Sequence, residues 1–234
     1  MIDREYAIKK AKELASKRLE EKDIAIINAV ALVNDLNEVI NLLSERLTIW
    51  YFKGQKKMKA DPNILNQIES IDDSTNENKQ MKLLASEIKN LYELKKNTLD
   101  YIHKTCRELM PNTSALVGET IAANLLAKAG SFEKLFKYPA STIQVLGAEK
   151  SLFKHLRKGA KSPKHGVIFA HPFITRANKR LRGKIARALA TKLVIAIRTD
   201  YTTKRDISKQ LKESLEKRVT QIMSMQSKAD EKKK

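Results

Sequence analysis

The chain has 234 residues, enough for one large domain or two ordinary ones, and a formal net charge of +19. A hydrophobic content of 42% can supply a core, whereas seven Gly and five Pro provide little turn material, so long helices are favoured over a many-stranded sheet. The single cysteine, Cys106, excludes an internal disulfide and fits a reducing compartment. We see no run of about 18 apolar residues and therefore expect no membrane partner.

The first half of the chain carries a heptad-like pattern. Apolar residues recur in alternating steps of three and four from Ile26 to Trp50, which predicts a coiled-coil helix. Residues 3–23, rich in Lys, Glu, Ala and Leu, are expected to extend it. One returning helix covers only one side of such a seam, so we predict a homodimer. The seam residues assigned to dimerisation are Ile26, Val33, Leu36, Ile40, Leu43 and Leu47.

A second seam runs from Met81 to Leu109 with the same spacing, interrupted only by Lys95. Between the two seams, residues 53–79 contain Gly54, Pro62 and a polar run. The chain is expected to turn back there, which gives a long antiparallel helical hairpin.

The second half predicts a compact all-α domain. Pro111 ends the second seam helix, and "PNTS" has the form of a break followed by an N-cap. "HGVIFAH" is either one short strand or a buried loop. Further helices are predicted at 115–129, 131–137, about 178–198 and about 204–226. The expected division is a hairpin at 1–110, a basic domain at 111–226 and a disordered tail at 227–234.

Positive charge is concentrated in this second half. Residues 147–205 hold sixteen Lys or Arg and two acids, whereas residues 1–110 hold nineteen basic and eighteen acidic side chains. Apolar residues interleave with the charges, so the block is expected to fold. A localised positive field on a folded domain is typical of a surface that binds a polyanion, and nucleic acid is the first partner to consider.

Two segments of the block are candidates for phosphate contacts. The helix at 178–198 places Arg180, Lys184 and Arg187 on one face and a row of apolar residues on another. The segment 154–166 holds seven Lys, Arg or His between Gly and Pro residues, which predicts a rigid cationic loop. Either segment taken alone is also consistent with an ordinary solvated surface.

Metal binding and catalysis find little support. His155, His165 and His171 fall close together, but their spacing fits no zinc signature and only Glu149 offers a compensating carboxylate. The block contains no paired carboxylates and no phosphate-binding "GxxxxGK[ST]" loop. We expect no metal, no cofactor and no catalytic residue.

The runs "YPASTIQVLGAEKSLFKHLRKGAKSPKHGVIFAHP" (138–172) and "RGKIARALATKL" (182–193) closely resemble the Nop domain. That domain belongs to the scaffold subunit of archaeal box C/D ribonucleoproteins and its nucleolar relatives. "LNEVINLLSERLTIWY" resembles the start of the coiled coil in the same proteins. The resemblance extends over about residues 20–220. The connection after "WY" is shorter than is usual in the family.

The resemblance implies a division of labour. The coiled coil dimerises, and the Nop domain binds a composite surface of kink-turn RNA and a small kink-turn-binding protein. Fibrillarin, the methyltransferase of guide-directed 2′-O-methylation, is held by a separate N-terminal domain that this sequence lacks. The implied location is the cytoplasm for an archaeal protein and the nucleolus for a eukaryotic one.

The resemblance also assigns residues. The implied RNA contacts are Lys150, Lys154, Arg157, Lys158, Lys161, Lys164, His165, Arg182, Lys184 and Arg187. The implied face towards the small protein is Val167, Ile168, Phe169 and His171. Two alternatives remain open at this point: a coiled-coil adaptor whose basic domain binds an acidic protein, and an RNA-modifying enzyme that acts alone.

Overall fold

The computed structural model describes residues 21–54 and 62–231. These residues form helices, with no strand in the described ranges. The helices are α1 (Lys22–Tyr51), α2 (Pro62–Glu69), α3 (Asn76–Leu109), α4 (Pro111–Val117), α5 (Glu119–Ala129), α6 (Phe132–Lys137), α7 (Ala140–Val145), α8 (Glu149–Lys158), α9 (Pro172–Thr175), α10 (Arg182–Thr202) and α11 (Ser208–Glu231), with a 3-10 turn at Val167–Ala170. The all-α class predicted from the composition is confirmed.

Helices α1 and α3 form the predicted antiparallel hairpin. Near its open end, Lys22 Nζ lies 2.7 Å from Glu108 Oε2. At the other end, Trp50 Nε1 donates a hydrogen bond of 2.8 Å to Glu77 Oε1. The beginning of each helix therefore lies beside the end of the other, as the two seams require. The expected extension of α1 over residues 3–20 lies outside the described residues.

The hairpin closes over a core of its own, which changes the interpretation of the first seam. Short helix α2, which the sequence had suggested only as part of a turn, packs with α1 and α3. Among the proposed dimerisation residues, Leu36, Ile40 and Leu47 belong to this core and Leu43 packs against it. Ile26 is fully buried as well, and Val33 is half-buried. The seam is therefore used within the chain, and its assignment as the dimer interface is corrected.

The chain divides into two compact units, but not at the predicted position. Of the described residues, one unit comprises 29–54 and 62–101, and the other comprises 21–28 and 102–231. We call them the hairpin unit and the basic unit. The expected boundary near residue 110 falls inside the basic unit, because the beginning of α1 and the end of α3 belong to that unit.

Helix α1 is long and apolar enough, by length and composition, to cross a membrane, with a mean hydropathy of 1.3 over its most apolar 18 residues. One such helix is weak evidence, since a core helix of a globular protein passes the same test. Its seam residues lie in the protein core. The seam residues of α1 therefore already have a partner inside the chain.

Helix α10 is the centre of the basic unit. It packs against α4, α6, α7, α9, α11 and the 3-10 turn. The predicted apolar row is confirmed, because Ile185, Leu189 and Leu193 are fully buried. Ala186 and Ala190 are buried beside them, and their small side chains let neighbouring helices approach closely.

A buried carboxylate joins three parts of this unit. Asp200, near the end of α10, is fully buried. Its Oδ1 accepts hydrogen bonds from Asn112 N (2.9 Å) and Asn112 Nδ2 (2.8 Å), and its Oδ2 accepts from Thr113 N (2.8 Å) and Thr113 Oγ1 (2.7 Å). Asn112 in turn donates to Arg205 O and accepts from Ile207 N. The negative charge thus lies at the N-terminus of α4, where unpaired amides and the helix dipole stabilise it.

Several predicted boundaries are wrong. The "PNTS" segment does not cap a helix that follows it: α4 begins at Pro111, and Asn112, Thr113 and Ser114 are buried within it. The predicted helix at 115–129 is interrupted at Gly118, whose φ is 85°. "HGVIFAH" supplies a 3-10 turn and not a strand.

The last two helices are shifted along the chain by a few residues. Helix α10 occupies 182–202 and α11 occupies 208–231, against predictions of 178–198 and 204–226. Part of the expected disordered tail is therefore helical, and residues 232–234 lie outside the described range.

Replacing Asp200 with Ala should destabilise the basic unit. Four donors lose their acceptor, and an unsatisfied buried group costs about 1–3 kcal/mol, so we expect the free energy of unfolding to fall by roughly 3 kcal/mol or more. Urea unfolding followed by circular dichroism measures this change. Asp100→Ala, at an exposed position of α3, is the matched control. A loss as small as that of the control would contradict the role assigned to Asp200.

Candidate nucleic-acid interface

Half of the predicted cationic loop is a helix. Residues 149–158 form α8, so Lys154, Arg157 and Lys158 project from a helix and only 159–166 form a loop. The sequence signal for α8 was present in the apolar residues at positions 152, 153 and 156, but the flanking Gly and Pro residues favoured a loop. None of the residues of α8 is buried. The cations of this helix therefore lie on an exposed element.

Local backbone chemistry fixes both ends of α8. At its start, Gly147 adopts a φ of 89°, and its N–H donates a hydrogen bond of 2.7 Å to Glu149 Oε1. At its end, Gly159 adopts a left-handed φ of 62°, and its N–H donates to His155 O at 2.9 Å. One of the two acids in the basic block is thus used to begin the helix.

Two glycines bring the ends of the site together. Gly166 N donates to Gln144 O at 2.9 Å, and Val167 N donates to Leu146 O at 2.8 Å. A Cβ on Gly166 would lie 1.9 Å from Leu146 O, and one on Gly147 would lie 2.5 Å from Val167 Cγ2. Only glycine permits this approach. The segments before α8 and after the loop are therefore held side by side, with the cations displayed between them.

The loop at 159–166 is attached to the rest of the unit through its backbone. Gln144 Nε2 donates a hydrogen bond of 2.7 Å to Lys164 O. The aliphatic part of Lys164 lies near Gly183 on α10, within ordinary contact of the position that a Cβ would take. Lys161 and Lys164 are exposed, as expected.

Of the three cations of helix α10 predicted to contact RNA, two are exposed. Lys184 and Arg187 are exposed on the face opposite the buried row. Arg182 is instead half-buried, and its guanidinium donates to Ala177 O (3.1 Å) and Thr175 O (3.3 Å) and lies 5.4 Å from the centre of the Phe169 ring. We reassign Arg182 to a structural role, because it fastens α9 to α10.

His165 is partly covered as well. Its ring stacks on Phe169 with 4.4 Å between centroids. Burial lowers the pKa of the imidazole below its usual 6.5, and the charge of Arg182 acts in the same direction. Near neutral pH the ring is therefore uncharged, and His165 adds hydrogen-bonding capacity but no positive charge to the surface.

The predicted face towards a protein partner is mostly internal. Ile168 is fully buried, and His171 is 8% exposed. The His171 ring accepts a hydrogen bond from Phe173 N, and burial lowers the pKa of its imidazole. Val167 and Phe169 are half-buried. Ile168 and His171 are therefore removed from the candidate interface.

Sequence reasoning missed an exposed apolar surface on α8. Phe153 is 59% exposed and Leu156 is 69% exposed, and Leu152 lies beside them on the helix. A group of neighbouring exposed apolar side chains surrounded by polar residues is typical of an interaction site. The sequence signal for this surface was that Leu152 is followed by apolar residues one and four positions later, within an otherwise cationic segment. In the described part of the chain, no three His, Cys, Asp or Glu side chains come together as metal ligands.

Comparison with known proteins identifies similar chains. Residues 53–221 match the Nop family, described as "snoRNA binding domain, fibrillarin". An uncharacterised NOP5-family protein of Methanocaldococcus jannaschii is 38% identical over 90% of this chain and 60% of its own length. Nucleolar protein 58 of Schizosaccharomyces pombe is 32% identical over 80% of this chain and 44% of its own length.

A solved structure is also similar. A chain in a crystal structure of a fibrillarin/Nop5p complex aligns with a TM-score of 0.63 and 32% identity, over 94% of this chain and 77% of that chain. The present chain thus spans about 60% of the length of the NOP5-family relative and less than half of nucleolar protein 58.

Replacing Gly166 with Ala should displace the cationic loop. The new Cβ would meet the Leu146 carbonyl, so the hydrogen bonds of Gly166 and Val167 to the segment before α8 should break. Hydrogen exchange should then show faster exchange at the Val167 amide. Gly159→Ala is the control: the added Cβ has open space around it, and only the positive φ of Gly159 makes the change unfavourable, by about 1 kcal/mol. Equal exchange in the two variants would contradict this account.

Proposed function

The chain belongs to the Nop family, and from that premise we propose that it is a non-catalytic scaffold of a box C/D guide ribonucleoprotein. In this proposal the basic unit binds a kink-turn RNA together with its small kink-turn-binding protein. The hairpin unit dimerises, and the assembly supports guide-directed 2′-O-methylation by fibrillarin. A cytoplasmic location is proposed for an archaeal source and a nucleolar one for a eukaryotic source.

The observation that carries the RNA proposal is the group of exposed cations on α8 and on the loop that follows it. Lys150, Lys154, Arg157 and Lys158 on exposed α8 adjoin the loop of Lys161 and Lys164, and Gly147 and Gly166 fix the frame beneath them. A fixed array of charges suits an RNA whose phosphates are already arranged in a bend. Recognition by shape and phosphate position, with little readout of bases, is what such a surface supports.

The exposed apolar side chains of α8 support a composite partner. Phe153 and Leu156 lie on the same helix as the phosphate-binding candidates. RNA phosphates bring no apolar surface to cover them, whereas a small protein seated on the RNA does. We therefore place the contact with the kink-turn-binding protein on Leu152, Phe153 and Leu156, in place of the buried Ile168 and His171.

The first test reverses charge on α8. Lys154→Glu combined with Lys158→Glu should weaken binding to a protein-loaded box C/D RNA by about tenfold or more, because phosphate contacts dominate such affinities. A gel shift at about 0.15 M salt measures it. Lys128→Glu combined with Lys134→Glu, at exposed positions of α5 and α6, applies the same charge change elsewhere on the unit. Equal losses in both variants would indicate general attraction and contradict a defined site.

Two further arms of that gel shift separate the competing functions. An unstructured RNA of equal length that bound as tightly as the loaded kink-turn would contradict the composite surface. Binding to an acidic polypeptide with the same affinity and salt dependence would favour the adaptor function. Methylation of RNA by this chain without fibrillarin would favour the enzyme.

Dimerisation needs a surface other than the buried seam, and α1 offers one. Leu32, Val39, Leu42 and Ile49 are all exposed on α1, spaced by seven, three and seven residues. Asp35 and Arg46 are exposed in the same register. These positions form three pairs that share one midpoint along α1, namely 32 with 49, 35 with 46, and 39 with 42.

That symmetry matches what a two-fold contact requires. In an isologous interface residue i meets residue j of the partner and j meets i. An antiparallel pairing of α1 with its copy would place Leu32 against Ile49, Val39 against Leu42, and Asp35 against Arg46. Both the apolar and the charged positions are then complementary, so this register is the one that we propose.

A charge swap tests the proposed register. Asp35→Arg alone would face Arg46 twice in the dimer and should shift the protein to monomer. Asp35→Arg combined with Arg46→Asp restores opposite charges and should recover the dimer. Sedimentation velocity measures the mass of the particle in solution. The protein concentration should be tens of micromolar, roughly the range in which modest interfaces are populated.

Asp35 and Arg46 are both exposed, so the charge swap should not disturb the core of the hairpin unit. Asn34→Asp combined with Asn41→Asp adds charge at exposed sites outside the stripe and should leave the dimer intact. A wild-type chain that is monomeric at these concentrations, or a double variant that stays monomeric, would contradict this register.

A further inference from the structure

A concave groove lies between α10, α11 and the loop that precedes the 3-10 turn, with a volume of about 1110 Å³. Pro163 and Lys164 form the loop side, Lys184 and Arg187 lie on α10, and Lys217 and Arg218 lie on α11. All of these residues belong to the basic unit. The α11 side is new, since neither the charge pattern nor the family resemblance had drawn attention to it.

The electrostatics of the groove are one-sided. Seven of its lining residues are Lys or Arg and none is acidic. Glu213 and Glu216 occur on α11 but do not line the groove. Like charges gathered on facing walls repel one another, so a ligand that carries several negative charges along its length would stabilise this arrangement.

The register of α11 explains why its polar edge faces the groove. Leu211, Leu215, Val219 and Ile222 repeat in steps of four, four and three and are buried in the unit. Ser214, Arg218 and Gln221 follow one edge of that buried stripe and line the groove. Arg218 Nη1 donates to Gln221 Oε1 at 3.2 Å, so the guanidinium is held along the wall.

The remaining lining residues limit the ligand further. Gln144, Ser162, Thr191 and Ser214 supply neutral hydrogen-bonding groups, and no aromatic residue lines the groove. Bases would therefore find no aromatic ring on which to stack, whereas phosphates and ribose hydroxyls would find partners in the cations and in these neutral groups.

We propose that this groove binds a single RNA strand by its sugar-phosphate backbone, independently of sequence. The inference rests on the proposed RNA-binding function, which it deepens by adding α11 as a second wall. Lys164 belongs both to the cationic loop and to the groove, so the surface is continuous with the kink-turn site. A strand that leaves the kink-turn would then run between α10 and α11.

A single strand fits the groove better than a duplex does. Cations on opposite walls can surround one backbone, and positively charged grooves that follow a strand are the usual way in which single-stranded nucleic acid is bound without sequence preference. The wide surface of a duplex would contact the rims and leave the lining cations without phosphate contacts.

The test compares two neutralised variants of the whole chain. Lys217→Gln with Arg218→Gln removes two charges from the groove, whereas Lys209→Gln with Lys212→Gln removes two exposed charges of α11 that do not line it. Fluorescence anisotropy with an oligouridylate of about ten nucleotides, a length within the site sizes of single-strand grooves, is recorded over a range of salt concentrations. A protein-loaded kink-turn RNA without a single-stranded extension is the second probe.

The groove variant should bind the oligouridylate more weakly, with a slope of log K against log salt that is shallower by about 1.4, since each single-strand phosphate contact contributes about 0.7. The control variant should keep the wild-type slope. Equal slopes in the two variants, equally tight binding of a duplex of the same length, or equally tight binding of polyglutamate would each overturn the proposal.

The kink-turn probe separates this inference from the proposed function. The groove variant should keep its affinity for the loaded kink-turn, whereas the Lys154 and Lys158 reversal should lose it. If the α8 reversal has no effect on that probe, the proposed function fails whatever the oligouridylate shows. If the α8 reversal loses affinity for the loaded kink-turn but the groove variant binds the oligouridylate as the wild type does, the groove inference fails and the proposed function stands.

Discussion

The buried carboxylate of Asp200 is the interaction on which the basic unit depends. A charge removed from water is stable only when hydrogen bonds and opposite charge replace its hydration. Here the replacement comes from the N-terminus of α4, through the amides and side chains of Asn112 and Thr113. Asn112 also holds the connection to α11 through Arg205 and Ile207. One acid thus fixes α4 on α10 and sets where α11 begins.

This arrangement has a consequence for the positive surface. Sixteen basic side chains between residues 147 and 205 repel one another, so the frame beneath them must be held by interactions that do not need their charges. The Asp200 contacts involve backbone and neutral side chains, and the Gly166 and Val167 contacts involve backbone alone. Lys154, Lys184 and their neighbours are thereby left available for a partner.

The sequence predicted the features that depend on periodicity and composition. The steps of three and four from Ile26 and from Met81 predicted two long helices, because a regular apolar stripe on one face needs a partner along its length, and the turn residues between them predicted the hairpin. The faces of α10 followed from the same reasoning, since Ile185 and Leu189 lie opposite Lys184 and Arg187. The all-α class followed from the scarcity of Gly and Pro. The positions of most exposed cations followed from the concentration of positive charge in the second half of the chain.

Three assignments could be decided only by the tertiary structure, because they depend on what lies beside a residue in space. The seam of Leu36, Ile40 and Leu47 reads the same whether its partner is another chain or α2 and α3, and the returning helices bury it. Arg182 has the same local sequence signature as Lys184, but the carbonyls of Thr175 and Ala177 occupy its guanidinium.

The role of Asp200 shows the same limit most clearly. In the sequence it is one acid in a basic block, separated from Asn112 by 88 positions. The sequence by itself determined which faces are apolar and which are charged, since that information lies in the spacing of neighbours along one helix. The tertiary structure alone decided which partner each face meets, because burial and hydrogen bonding join residues that no local pattern connects.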